Sequence, residues 1–397
     1  MVAASSGIAG SLPIQWRAAP RRWGHDLHSL CSYMAMFPPS MPSTFIRWLT
    51  DPGEVVYDPF SGRGTTAFEA CLLGRAGRAS DANPLAWLLT AAKVDPPSRR
   101  AVRRRITILR KHIEPLSIRE EPAHIKMLFR RSTLGQLLWL RQELSVERKV
   151  DRFLLAALSG ILHRNADKYG RPRGLTVAMP NTFAMSPGYV KRYIADKGLK
   201  APKVNVLDAL EERVEAMELP SPGFVRGRAW MQEATQSMAP HMHGDRAKLI
   251  FSSPPYLEVI LYGKYNWLRL WLLGEERKAV DQTLFTSSSL TKYLQFMKTA
   301  VGRAAAVLRD DGFICLVIGD VRKRSTGKEI LLGEEVAANC CPEGLKLIGV
   351  VPDALPVEHK VSRIWADNRG RATRTDRIVI FGGPKATVRA TPEIQWS

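Results

Sequence analysis

Cysteine is scarce: five occur in 397 residues (Cys31, Cys71, Cys315, Cys340 and Cys341), with no CxxC pair among them. That excludes a disulfide-stapled scaffold and reads as reduced thiols. Long apolar runs are also missing. No stretch reaches the roughly 18 uninterrupted apolar residues of a membrane span, and the N-terminus lacks the basic-then-apolar order of a secretory signal. The expectation is a cytoplasmic protein with no membrane partner. Acid is short too, with 38 Asp and Glu against 58 Lys and Arg, a formal charge of +20. Such an excess points to a polyanionic partner, nucleic acid ahead of an anionic membrane. The chain has no internal repeat or low-complexity tract, and its 45% hydrophobic content excludes disorder and fibrous structure.

Residues 1–24 are rich in Ala, Ser, Gly and Pro, contain Arg17, Arg21 and Arg22 and no acid, and read as a flexible basic arm. An α/β pattern comes next. Glu54–Tyr57 reads as a strand ending at Asp58, then come a Gly-rich turn, a helix over Thr65–Leu73, and a second strand over Arg75–Ser80 ending at Asp81. That is how a parallel, doubly wound sheet opens. After Pro96-Pro97, residues 95–220 turn basic and mainly helical, with helical patterns over Leu128–Leu144 and Phe153–Leu162 and an irregular stretch from Arg164 to Lys203. The α/β pattern resumes near Phe224. Strands are predicted at Ala247–Phe251 and Phe313–Ile318, helices at Tyr265–Leu273 and Leu290–Leu308, and a last antiparallel pair at Leu345–Val351 and Arg377–Phe381. The expected division is an arm (1–24), an α/β unit made of 25–94 and 221–397, and an inserted helical region (95–220).

Two short stretches carry chemistry. In the first, Asp58-Pro59-Phe60-Ser61-Gly62-Arg63-Gly64-Thr65-Thr66, the glycines let backbone approach a ligand and the following helix N-terminus favours a negative group. Asp81, at the end of the next strand, can accept hydrogen bonds from ribose hydroxyls. The spacing is not the GxGxxG of dinucleotide binders, so a nucleoside cofactor without a pyrophosphate fits. In the second, Ser253-Pro254-Pro255-Tyr256, consecutive prolines fix an extended backbone, leave the Pro254 carbonyl outside any ladder, and precede a ring on which a planar amine can stack. No Pro-Cys dipeptide is present, which removes the nucleophile of C5-cytosine chemistry. His241-Met242-His243 has no third ligand at a suitable spacing, so no metal is expected.

Together these stretches resemble the S-adenosylmethionine-dependent amino-methyltransferases of DNA, in which DPFxGxGT is the cofactor loop and Ser, Asp or Asn followed by Pro-Pro-aromatic is the catalytic tetrapeptide. His28, Tyr33, Ala35, Phe37 and Pro38 are similar to the family's segment upstream of that loop. Tyr262, Tyr265 and Trp271–Gly274 are similar to the family's segment downstream of the tetrapeptide. The resemblance implies a Rossmann-like class I methyltransferase sheet with an inserted, mainly helical target-recognition region, and S-adenosyl-L-methionine as cofactor. It implies cofactor binding by His28, Phe37, Asp58, Pro59, Phe60, Ser61, Gly62, Gly64, Thr65, Thr66, Asp81 and Asn83, and catalysis at Ser253, Pro254, Pro255 and Tyr256. Where many members place an acid after the third strand, Gly227-Arg228-Ala229 stands here.

The implied reaction is methyl transfer to the exocyclic amino group of a base flipped out of double-stranded DNA. Ser at the first tetrapeptide position favours cytosine N4. The alternatives are adenine N6, then an RNA base methyltransferase, then a non-catalytic nucleic-acid-binding protein. A solitary enzyme and one paired with a cognate restriction endonuclease both fit. DNA contacts are expected from Arg99, Arg100, Arg103, Arg104, Arg105, Arg171 and Arg173 in the insert and from Lys360 and Arg363 near the C-terminus.

Overall fold

The computed structural model describes residues 15–20, 23–34, 37–164, 173–179, 185–221, 223–257, 262–322, 327, 329–353 and 375–396. Its core is a seven-stranded sheet built from β1 (Val55–Asp58), β2 (Ala76–Asp81), β3 (Arg228–Met231), β4 (Ala247–Ser252), β5 (Leu308–Gly319), β8 (Lys346–Asp353) and β9 (Asp376–Gly382). A separate two-stranded hairpin comprises β6 (Val321–Arg322) and β7 (Glu329–Ile330). The strand order is β3-β2-β1-β4-β5-β9-β8, with β1 to β5 parallel and β9 antiparallel to both neighbours. This is a Rossmann-like sheet of the class I methyltransferase type. The chain winds outwards through β1, β2 and β3, then returns to place β4 beside β1. A topological switch therefore lies at the carboxyl ends of β1 and β4, where crevices open in such sheets.

Alternation along the strands builds two layers. Val56, Leu249, Phe251, Cys315 and Val317 face α1 (Ser40–Leu49), while Tyr57, Ile250, Ile314, Leu316 and Ile318 pack with α13 (Leu290–Ala306) and α14 (Leu332–Asn339). All six residues of β4 are buried, as a central parallel strand requires. Lys248 within it is tolerated because its ammonium donates to the Asp311 carbonyl (2.8 Å) and carboxylate (2.9 Å).

Helices α2 (Thr65–Leu72) and α3 (Pro84–Val94) follow β1 and β2. Between α3 and β3 lie α4 (Arg99–His112), α5 (Ala123–Lys126), α6 (Arg131–Glu143), α7 (Lys149–Ile161), α8 (Pro187–Lys197) and α9 (Val206–Glu215). The short α10 (Ala239–Met242) precedes β4, and α11 (Tyr262–Leu273) and α12 (Arg277–Thr283) follow it. The inserted helices share one apolar core with the sheet's own: Ile106, Leu137, Leu154 and Leu210 pack in the same cluster as Leu88 of α3 and Leu268 of α11. The insert is thus fused to the sheet layer instead of enclosing a core of its own.

The expected loose arm is corrected over its described part. Trp16 is 3% exposed and packs on Phe45 at 5.7 Å, and Trp23 meets Trp396 edge-on at 4.6 Å. Aromatic burial docks this stretch, a driving force that its Ala, Gly and Pro content hides. All five cysteines are unpaired.

Candidate active site

The glycine loop begins where β1 ends. Gly64 has φ +75°, and a Cβ there would lie 2.6 Å from Thr90 Oγ1 and 2.8 Å from its Cα, so only glycine lets α2 start against α3. Beneath the loop, Asp58 is 1% exposed, and its Oδ1 accepts from Ser252 Oγ (2.5 Å) and from Phe60 N (3.2 Å). Burial raises its carboxyl to about 6, with the Ser252 and Phe60 bonds opposing the rise. One carboxylate thereby ties the end of β1 to the end of β4.

Asp81 closes β2. Its Oδ2 accepts from Gly62 N (2.8 Å) and its Oδ1 from Asn83 N (2.9 Å), so loop and helix start both fix the carboxylate. Burial raises its pKa to about 7, helped by the negative Asp58. Each oxygen keeps a lone pair for a further donor. Asn83 caps α3 through Leu85 N (3.0 Å) and donates to the Tyr33 hydroxyl (3.1 Å), and the Tyr33 ring stacks on Tyr262 with centroids 5.9 Å apart.

These elements line a cleft at the switch point. Phe37, Pro59, Phe60, Ser61, Gly62, Thr65, Asp81 and Asn83 lie on it, as do Ser253 and Pro255 from the other stretch. Asp58, Gly64 and Thr66 stand behind it as supports. Tyr33, Arg63 and Tyr262, which the sequence reading placed in the family-like segments without a binding role, also line it, as do Phe285, Phe296 and Glu233, which that reading passed over. Phe285 stacks on Phe296 at 4.0 Å and forms an apolar wall.

Glu233 corrects the reading of the third strand. Arg228 and Ala229 begin β3, in register with Arg78 and Ala79, and the strand runs on to Met231, so the acid beyond its end is Glu233. This edge strand has only half-buried and exposed residues and gives no apolar alternation to read.

His28 is likewise placed differently. It is 7% exposed beneath α2, with Nε2 2.7 Å from Glu69 Oε1, and it does not line the cleft. Burial, followed by Lys93 and Arg63, holds the imidazole well below its usual pKa, while burial lifts Glu69 to about 8, so the pair is a neutral hydrogen bond.

At the β4 end, Ser253 Oγ donates to the Val317 carbonyl (3.1 Å) and lies 3.3 Å from the Tyr256 hydroxyl. No described group donates to the Pro254 carbonyl. Pro254 and Tyr256 flank the cleft-lining Pro255.

The arginines expected to meet DNA divide sharply. Arg99 donates to the Val214 and Met217 carbonyls, Arg103 grips Glu215 through two bonds (2.8 and 2.7 Å), and Arg105 grips the fully buried Asp151 (2.7 and 3.2 Å). These three are spent on holding α4 to α7 and α9. Arg100, Arg104 and Arg173 are exposed. Arg171, Lys360 and Arg363 lie outside the described residues.

The residues present fit S-adenosyl-L-methionine: a fixed carboxylate for ribose hydroxyls, a second acid beyond β3, apolar walls for an adenine, and glycine-loop backbone at a helix start. No helix among the described residues is long and apolar enough to cross a membrane. The chain matches no curated protein. Among solved structures it is similar to TrmN from Thermus thermophilus, at 11% identity over 90% of this chain and 52% of that one, with a TM-score of 0.34. It thus spans about half of that protein's length. It is also similar to the rRNA methyltransferase aviRa from Streptomyces viridochromogenes, at 12% identity over 91% of this chain and 95% of that one, with a TM-score of 0.31. Residues 16–85, which supply the glycine loop and Asp81, match the family model described as DNA methylase, and this match together with the sheet order fits a methyltransferase that uses S-adenosyl-L-methionine as its cofactor.

Proposed function

We propose that this protein methylates DNA at the exocyclic amino group of a flipped base, cytosine N4. The observation that carries the reading is that Ser253 and Pro255 line the same cleft as Gly62 and Asp81, so the cofactor loop and the Pro-Pro-Tyr stretch converge on one space. When bound, S-adenosyl-L-methionine supplies a methyl group on a sulfonium, an electrophile that needs no covalent enzyme intermediate.

The chain's residues do the rest by orientation. Asp81 would accept hydrogen bonds from the ribose hydroxyls and Glu233 from the adenine amino group, since both line the cleft. Because the Ser253 hydroxyl hydrogen goes to the Val317 carbonyl and Tyr256 donates to its oxygen, one Ser253 lone pair remains to accept an amino hydrogen, and the Pro254 carbonyl would accept the other. Two such acceptors would draw the nitrogen lone pair out of conjugation with the ring, so that the N–C bond could form as the S–C bond breaks, with the surplus amino proton left hydrogen-bonded to one acceptor and lost to water. Tyr256 supplies the stacking face, its hydroxyl anchored near Ser253. The +20 charge favours a nucleic-acid substrate, and the central position of the basic insert, residues 95–220, is the ground for taking it as double-stranded DNA.

The test is transfer of labelled methyl from the cofactor to DNA and to RNA by the purified protein. Label in DNA with none in RNA is expected. Label confined to RNA overturns the substrate, and no transfer to either overturns the activity.

A further inference from the structure

We propose that α8 is a docking surface for single-stranded DNA beside the cleft, with Tyr189 as a base-stacking platform and Lys191, Arg192, Lys197, Lys200 and Lys203 as phosphate contacts. The inference rests on the nucleic-acid reading above and adds a surface which that reading does not require.

Val190 is the buried anchor of α8. One helical turn apart, Tyr189 and Tyr193 lie nearly parallel, with centroids 6.1 Å apart and planes 12° apart, and Tyr189 remains 37% exposed. It is one of four large hydrophobic side chains left this open among the described residues, and the other three are aliphatic or Met. Stacking on Tyr193 holds the ring while part of it stays in water, which suits it to a base.

The charge around it is uncommitted. Lys191, Arg192, Lys197, Lys200 and Lys203 are exposed, and none makes a described hydrogen bond or ion pair, whereas Arg99, Arg103, Arg105 and Arg110 on α4 are all engaged by acids or carbonyls within the insert. Asp196 is the one acid on α8 itself. Arg192 lies three residues from Tyr189 and next to Tyr193, so a cation borders the ring pair.

Position favours this strand partner. Just before α8, the Met185 carbonyl accepts from Trp267 Nε1 (2.8 Å) on α11, the helix whose first residue, Tyr262, lines the cleft. Five residues of helix separate Trp267 from Tyr262, about 7.5 Å at 1.5 Å per residue. A duplex buries its base faces in its own stack, so the ring requires unpaired bases.

The experiment is fluorescence anisotropy of the full chain with labelled oligodeoxythymidine and with a duplex, each over a range of salt. Tyr189→Ala is expected to weaken single-strand binding by about 5- to 150-fold with the salt slope unchanged, and Tyr189→Phe to retain affinity. Lys191→Ala with Arg192→Ala should flatten the slope by about 0.7 for each phosphate that is no longer neutralised. Calorimetric cofactor binding shows that each variant is folded. Unaltered single-strand affinity in Tyr189→Ala, or equal losses in Tyr189→Ala and Tyr189→Phe, overturns the inference while the methyltransferase reading stands. A wild-type protein that binds cofactor but no DNA of either form overturns both.

Discussion

Ser252 Oγ donates to Asp58 Oδ1 across 2.5 Å, and this one bond joins the strand that launches the glycine loop to the strand that launches Ser253–Tyr256. Their residues are 194 apart in sequence. Ser252→Ala leaves a buried carboxylate short of its hydroxyl donor. The protein should lose about 1–3 kcal/mol of stability by denaturant titration, with weaker cofactor binding in the surviving folded fraction.

Asp81→Ala removes the acceptor fixed by Gly62 and Asn83. Loss of charge-assisted bonds worth about 1.5–3 kcal/mol should weaken cofactor affinity by about 10- to 150-fold in calorimetry. Unchanged affinity in a folded variant would remove Asp81 from the cofactor site.

Cofactor affinity should also depend on pH through the same group. Burial raises the Asp81 carboxyl to about 7, so below that pH the free protein holds it protonated and binding must expel the proton. Affinity therefore rises with pH up to about 7, by at most about tenfold per unit, and levels off above it. Asp81→Asn should abolish that slope relative to wild type; an identical slope in the variant contradicts the assignment.

His28 and Glu69 form a buried neutral pair outside the cleft, so His28→Ala is expected to act on stability, by about 1–3 kcal/mol, and to leave cofactor affinity unchanged. A folded His28→Ala protein with weakened cofactor binding would return His28 to the site.

The arginines of α4 give opposite expectations. Arg105→Ala strips the buried Asp151 of its bidentate partner and should cost about 3–5 kcal/mol of stability. Arg100→Ala with Arg104→Ala touches no described ion pair and should reduce the salt dependence of DNA binding by up to about 0.9 for each phosphate that either arginine neutralises.

The signals legible in the sequence are the local ones. Asp58–Thr66, Asp81 and the tetrapeptide are contiguous, and each strand that precedes them is a short run bounded by turn residues, so both the sheet and its glycine loop could be read directly. Glu233 was not legible, because β3 is an edge strand without alternation. The engagement of Arg103 by Glu215 and of Arg105 by Asp151 spans 112 and 46 residues, and composition counts such arginines as free charge. His28 was read as a cofactor residue from the family-like segment it stands in, and its pairing with Glu69, 41 residues away, was not legible.

Mass spectrometry of nucleosides from the DNA of a modification-free host tests the central claim most directly, comparing cells that express wild type, Tyr256→Ala and Ser253→Ala. N4-methylcytosine is expected with wild type, a deep loss with Tyr256→Ala, and reduced levels with Ser253→Ala. N6-methyladenine would contradict the choice of base, and 5-methylcytosine, or no modified base at all, would contradict the amino-methyl transfer itself.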